Sequence, residues 1–308
     1  MKAVMYHYVR EFDSSLPNFK FLDVSNFRKQ LNFFDQNYGF VTKEEWDSFT
    51  LLGKMPNVLG KVILTFDDAM SCHYDYVFHE LKERGLWGIF YVPTLPYSKS
   101  KLLDVHRIHL LCGAFDGVSL LKEAMSLLSG DMIPDSKRRE FRDETYSNQI
   151  NNESISEFKK LLNYYISYDF RESTIDNIGK VFNFKFIPNK FYISEVNLKE
   201  MSDYGMIIGS HTVNHPVMSK LNLLEQFYEI NASFDSLIKM GVCKEKTYCH
   251  PYGGFLSFDS NTINLLNKHN VLYSFNLESR EIVANDLNKS KQFLPRFDCN
   301  LFDNGQVS

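Results

Sequence analysis

Residues 210–215 read S-H-T-V-N-H, which sets two imidazoles four residues apart. On a helical turn or in a tight loop, that spacing can turn both rings toward one cation, and imidazole is a common ligand for divalent metals. The same spacing also suits two ordinary histidines with core or surface partners, so a third donor is needed to choose. Residues 61–69, K-V-I-L-T-F-D-D-A, offer one. There a β-prone run ends in two adjacent carboxylates, Asp67 and Asp68. A single Asp after a strand reads as a turn or a helix N-cap, but two carboxylates closing a buried strand repel each other and call for a counter-charge. A divalent cation supplies it. Held by one carboxylate and two imidazoles, such a cation keeps positions open for water and a substrate carbonyl, which is the chemistry of amide hydrolysis.

Strands must bring these donors together. Residues 3–6, 61–66, 88–92, 206–208 and 271–275 are short apolar runs that read as buried strands, and segments of helical period lie between them at 27–38, 76–84, 223–240 and 260–269. Strands alternating with helices predict parallel β/α units, in which residues just past the carboxyl ends of strands line the active-site mouth. Asp67 and Asp68 follow one such run, and His211 follows another. From 102 to 180 the strand signals stop and the chain becomes helical and polar. We therefore read one α/β barrel domain spanning 1–308, with a helical insertion at 102–180.

Composition sets bounds on partners. The 308 residues are 44% hydrophobic and 23% charged with a net charge of -4, values of a globular chain. Beyond the short group Lys137, Arg138 and Arg139 there is no basic run, so nucleic acid is not an expected partner. The five cysteines contain no C-x-x-C pair, which points to reduced thiols and not to a disulfide framework. The first residues are too polar for a secretory segment, and no stretch is long and apolar enough to span a membrane, so a cytoplasmic protein is expected. Oligomeric state is not legible.

Three stretches carry a family resemblance: T-F-D-D-A at 65–69, S-H-T-V-N-H-P-V-M-S-K-L at 210–221, and Y-C-H-P-Y-G-G at 248–254. Together they resemble the polysaccharide deacetylase family, the NodB-homology domain of carbohydrate esterase family 4, over most of the chain outside the insertion. The resemblance implies an irregular (β/α) barrel of the NodB type. It further implies that Asp68, His211 and His215 bind the metal and that Asp67 is the general base. Zinc suits this donor set first, with cobalt, nickel and ferrous iron as alternatives. Pro251 and Tyr252, inside the third motif, are the substrate-binding candidates.

The chain departs from the family in three places. Ala69 stands where a glycine is usual, which matters only if a positive φ is required there. Cys249 stands where the family often has an arginine; Arg296, in L-P-R-F-D-C-N, is the candidate to replace it beside Asp67, and the alternative is a structural ion pair. The late L-x-H histidine that would supply the general acid is missing. Met5-Tyr6-His7 resembles the permuted branch of the family, in which the first strand carries that histidine, so His7 is the candidate acid against an ordinary buried histidine. His106 and His109 read either as substrate contacts or as residues of an amphipathic helix face.

The function this implies is a metal-dependent hydrolase that removes an N-acyl group, N-acetyl before N-formyl, from an amino sugar. Cytoplasmic residence would make the substrate a nucleotide-linked or lipid-linked sugar, a precursor of a surface polysaccharide. Two alternatives stand beside it: an amide hydrolase of a non-sugar substrate, and a non-catalytic member that binds glycan.

Overall fold

A computed structural model of the chain describes residues 1–57, 60–129, 131–133, 153–188 and 191–307. The strands are β1 (Lys2–Tyr6), β2 (Val9–Arg10), β3 (Leu22–Asp23), β4 (Val62–Asp67), β5 (Ile89–Val92), β6 (Ile207–Ser210), β7 (Thr247–Cys249), β8 (Tyr273–Phe275) and β9 (Phe297–Asp298). Seven of them form one parallel sheet in the order β8-β7-β6-β5-β4-β1-β9, curled into a half-barrel, while β2 and β3 pair separately. A strand of a parallel sheet is covered on both faces, so its sequence is largely apolar; all six residues of β4 are buried, Thr65 and Asp67 among them.

Alternation along each strand divides the side chains between two layers. Val4, Leu64, Phe66, Phe90 and Ile208 face outward into one core with the helices, including Phe27, Leu31 and Phe34 of the helix Val24–Asn37. Ala3, Ile63, Ile89, Tyr91, Ile207, Cys249, Tyr273 and Phe275 face inward. Trp46, fully buried on the helix Lys43–Leu52, fills the amino-terminal end of this interior and donates its indole N–H to the Tyr273 hydroxyl at 3.0 Å. Gly209 lets the sheet close up: a Cβ there would come within 2.6 Å of Tyr91 and 2.7 Å of Thr247. At the seam, Leu294 pairs with Phe275 of β8, and Phe297 pairs with Val4 of β1. The chain thus crosses from one side of the half-barrel to the other with Arg296 in the middle of the crossing.

The structure divides into two compact units, Met1–Glu11 with Phe21–Lys99 and Asn189–Ser308, and Phe12–Lys20 with Ser100–Pro188. The half-barrel is the first. The second holds the helices Asp104–Ala114, Gly117–Ser126, Glu153–Lys160 and Tyr168–Val181, around a core of Ile108, Leu111, Leu120, Phe158, Leu162, Ile175 and Ile178. The segment read as 102–180 falls within this unit, and the basic group at 137–139 lies outside the described residues. No helix among the described residues is long and apolar enough to cross a membrane.

Candidate active site

Strand parity decides where the acidic pair points. Asp67 is the last residue of β4, two places beyond Thr65 and four beyond Ile63, so its carboxylate faces the interior of the half-barrel. Asp68 lies one step past the strand, with φ at 80°, and turns toward the loop that follows β6. His211 and His215 belong to that loop, not to a helix. Each presents its Nε2 at 3.5 Å from Asp68 Oδ1, and the two rings stand 4.7 Å apart.

This arrangement fits a divalent cation. Ligands of a tetrahedral ion at about 2.0–2.2 Å stand roughly 3.3–3.6 Å from one another, which matches the Nε2 to Oδ1 separations. The donor atoms of Asp68, His211 and His215 all lie within 4.8 Å of one another, and all three residues are buried. His211 Nδ1 donates to the Cys249 carbonyl at 2.8 Å, which leaves the lone pair on Nε2, facing Asp68. Burial lowers the His211 pKa, more than the nearby Asp67 and Asp68 charges raise it, and so favours the neutral, ligating form.

Three loops carry the site, and all three are strained. Of nine non-glycine residues with positive φ among the described residues, five are Asp68, Ala69, Thr212, His215 and Tyr252. Such conformations persist only where surrounding contacts enforce them. Ala69, at φ 52°, does occupy the left-handed region where the family's glycine would be at ease. The Ala69 carbonyl accepts from Ile193 N at 2.9 Å, and Ser71 N donates to the Phe191 carbonyl at 2.9 Å. The histidine loop is held from behind by Glu229 of the helix Leu223–Lys239. This buried carboxylate accepts from Val213 N at 2.8 Å, from Asn214 N at 2.9 Å and from the Asn214 side chain. Burial raises its pKa, and the loop donors oppose that shift. Nothing in L-L-E-Q-F-Y-E-I marks Glu229 as buried, so it was not among the expected residues.

Arg296 is fully buried, and each of its five N–H donors has an acceptor. Nη1 reaches Asp67 Oδ1 at 2.8 Å and Thr65 Oγ1 at 3.1 Å; Nη2 reaches Asp67 Oδ2 at 2.8 Å and Cys249 Sγ at 2.9 Å; Nε reaches the Asn276 carbonyl at 3.2 Å. Burial alone would raise the Asp67 carboxyl, but the two-point pair with Arg296 outweighs it and holds the pKa at about 2. Cys249, at the position of the family's arginine, thus touches the guanidinium that comes from elsewhere.

His7 follows β1, with its Nε2 4.0 Å from Asp68 Oδ2 and its side chain 39% exposed. Asp68 therefore faces the histidine pair with one oxygen and His7 with the other. Pro251 is buried, and Tyr252 sets its half-buried ring 4.9 Å from that of His215. His250 turns to the outer layer, stacks on Phe258 at 3.8 Å and donates Nε2–H to the Gln292 carbonyl at 2.7 Å. Burial holds its pKa at about 3, so it is a neutral core histidine. His106 and His109 lie on the helix Asp104–Ala114 of the second unit, with ring centroids 6.3 Å apart.

Comparison with known proteins agrees with these motifs. Residues 177–274 match the family described as polysaccharide deacetylase. No curated protein matches the sequence. Among solved structures, the Streptococcus pyogenes deacetylase PplD in complex with acetate aligns with a TM-score of 0.58 at 16% identity, over 97% of this chain and 91% of that one. A de-N-acetylase from Aggregatibacter actinomycetemcomitans gives 0.54 at 14% identity, over 98% and 95%. IcaB from Ammonifex degensii gives 0.54 at 15%, over 96% and 90%. These likenesses establish the shared fold. Residues 177–274, which hold S-H-T-V-N-H and Y-C-H-P-Y-G-G, thus match the polysaccharide deacetylase family, and the chain as a whole shares the fold of solved deacetylases.

Proposed function

We propose that this protein is a metal-dependent N-deacetylase of an N-acetylated amino sugar. The observation that carries the reading is the meeting of Asp68, His211 and His215 around one point, beside an ionised Asp67 that they do not use. A glycan-binding module would need neither the donor set nor the buried carboxylate.

Asp68, His211 and His215 would hold the cation. When bound, it supplies Lewis acidity toward the acyl oxygen and toward a water molecule. Asp67 is the base in this reading. A carboxylate near pKa 2 is ionised throughout the neutral range but is a weak base, so it can take a proton only from a nucleophile already acidified. Both its oxygens meet Arg296, and Oδ2 also accepts from the Cys249 thiol at 3.5 Å, which leaves the second lone pair of Oδ1 to take the proton. Arg296 fixes the plane of Asp67 and keeps it charged. His7, on the other side of Asp68 and partly open to solvent, protonates the departing amine. Tyr252 and Pro251 wall the histidine side, where the sugar would lie. The chemistry at the N-acyl group is the same for a polymer and for a nucleotide-linked or lipid-linked sugar.

The test is release of acetate and a free amine from N-acetylglucosamine oligomers by the metal-loaded protein. His7→Ala should keep its metal but slow this amide hydrolysis by roughly 10²-fold or more. An activated acetate ester should suffer far less, because its leaving group needs little protonation. Equal losses on amide and ester would make His7 a binding residue instead. Absence of acetate release from every such substrate would overturn the proposal.

A further inference from the structure

We infer that His73 is a positioning residue for His7, holding the His7 carbonyl through its Nε2–H and thereby aiming the His7 imidazole at the Asp68 side of the site. The inference rests on the reading of His7 as the proton donor.

His73 is completely buried at the start of the π-helical turn His73–Phe78, with its main-chain N–H bonded to the Met70 carbonyl at 2.9 Å. Its ring lies 5.6 Å from that of Phe66 and 6.1 Å from that of Phe90, in an apolar layer where Leu or Phe would pack at no polar cost. Burial holds its pKa at about 4, so the ring is neutral. Nε2 meets the His7 carbonyl, and because a carbonyl only accepts, Nε2 carries the proton. Nδ1 then holds a lone pair that has no hydrogen-bond partner among the described residues. A buried polar atom left in this way is unfavourable for folding. What the imidazole does at this position is bond the main chain of His7.

That bond matters because of where His7 stands. β1 ends at Tyr6, so His7 is past the strand, and its side chain is too exposed to be oriented by packing. Fixing its carbonyl fixes the peptide plane and so the direction of the Cα–Cβ bond. The π turn that presents His73 begins five residues after Asp68. One hydrogen bond thereby ties the strand end that carries the acid to the segment that carries a metal ligand. Positioning errors of about 1 Å at a reacting group can cost about 10²-fold.

The test uses the metal-loaded full chain. H73L should lower kcat on the N-acetyl substrate roughly tenfold or more, with KM and metal content unchanged and the activated ester nearly unaffected. H73Q, which places an N–H close to the Nε2 position, should recover most of the rate. In the His7→Ala background H73L should cause no further loss, because its effect runs through His7. The NMR signal of the His7 ring should shift or broaden in H73L and return in H73Q. If H73L does not fold, H73N, whose amide ends near the Nδ1 position, gives the same readings. An equal loss in wild-type and His7→Ala backgrounds overturns the inference, as does a His7 signal unmoved by H73L. Should His7→Ala lose no amide-specific activity, the acid reading falls separately, and the His7 signal alone decides whether His73 positions it.

Discussion

Asp67→Asn is expected to abolish turnover, by roughly 10²–10⁴-fold, while the bound ion stays in place. The substitution keeps the shape of the side chain and leaves Asp68, His211 and His215 untouched, so metal content should be unchanged. It removes the charge that takes the proton in the proposed mechanism. It also leaves Arg296 buried with an amide N–H facing one of its own donors, where Asp67 Oδ2 had accepted from Nη2 at 2.8 Å. Breaking a buried ion pair from one side costs about 3–5 kcal/mol, so the variant should also melt at a lower temperature. The folded pKa of about 2 lies below the ordinary 3.8, so the pair stabilises fully at neutral pH and loses that contribution as pH falls from about 4 toward 2. The melting temperatures of wild type and variant should therefore converge in acid. A variant with wild-type turnover would remove Asp67 from the base role.

Asp68→Ala, His211→Ala and His215→Ala should each lose metal and activity together. Three protein ligands leave no spare donor, and since even residues behind a metal ligand are worth about 10–100-fold in affinity, loss of a ligand should exceed about 100-fold. Elemental analysis after dialysis, run beside the activity assay, checks this. The contrast with Asp67→Asn is the informative part, because it separates holding the ion from using it. A ligand variant that keeps a full equivalent of metal would show that the donor set has been misassigned.

The site was legible in the sequence to the extent that its residues lie at the ends of strong apolar runs. V-I-L-T-F-D and M-I-I announce β4 and β6, and the donors follow them directly. β7 and β9 span only three and two residues, and their places are fixed by pairing with neighbours and not by their own pattern. The partnership of Arg296 with Asp67 could be guessed from the missing arginine at Cys249, but parity explains it: Thr65, Asp67 and Cys249 all face inward, and the seam crossing delivers Arg296 to them. Glu229 and His73 were not legible. Glu229 is a polar residue of the helix-period segment 223–240, His73 precedes the one read at 76–84, and each is buried because main-chain groups of a distant loop, Val213 and Asn214 in one case and His7 in the other, supply its partner. The left-handed conformations of Asp68, Thr212, His215 and Tyr252 were likewise beyond reach, since no glycine marks them. Nor does any periodicity show that Phe12–Lys20 joins a unit otherwise built from Ser100–Pro188.

The most direct test of the central claim is metal stoichiometry measured together with acetate release on one preparation of the wild-type chain. The Asp68, His211 and His215 cluster predicts about one equivalent of a divalent transition metal per chain, loss of acetate release on chelation, and its recovery as that single equivalent is added back. Acetate release undiminished in the metal-free protein would contradict it.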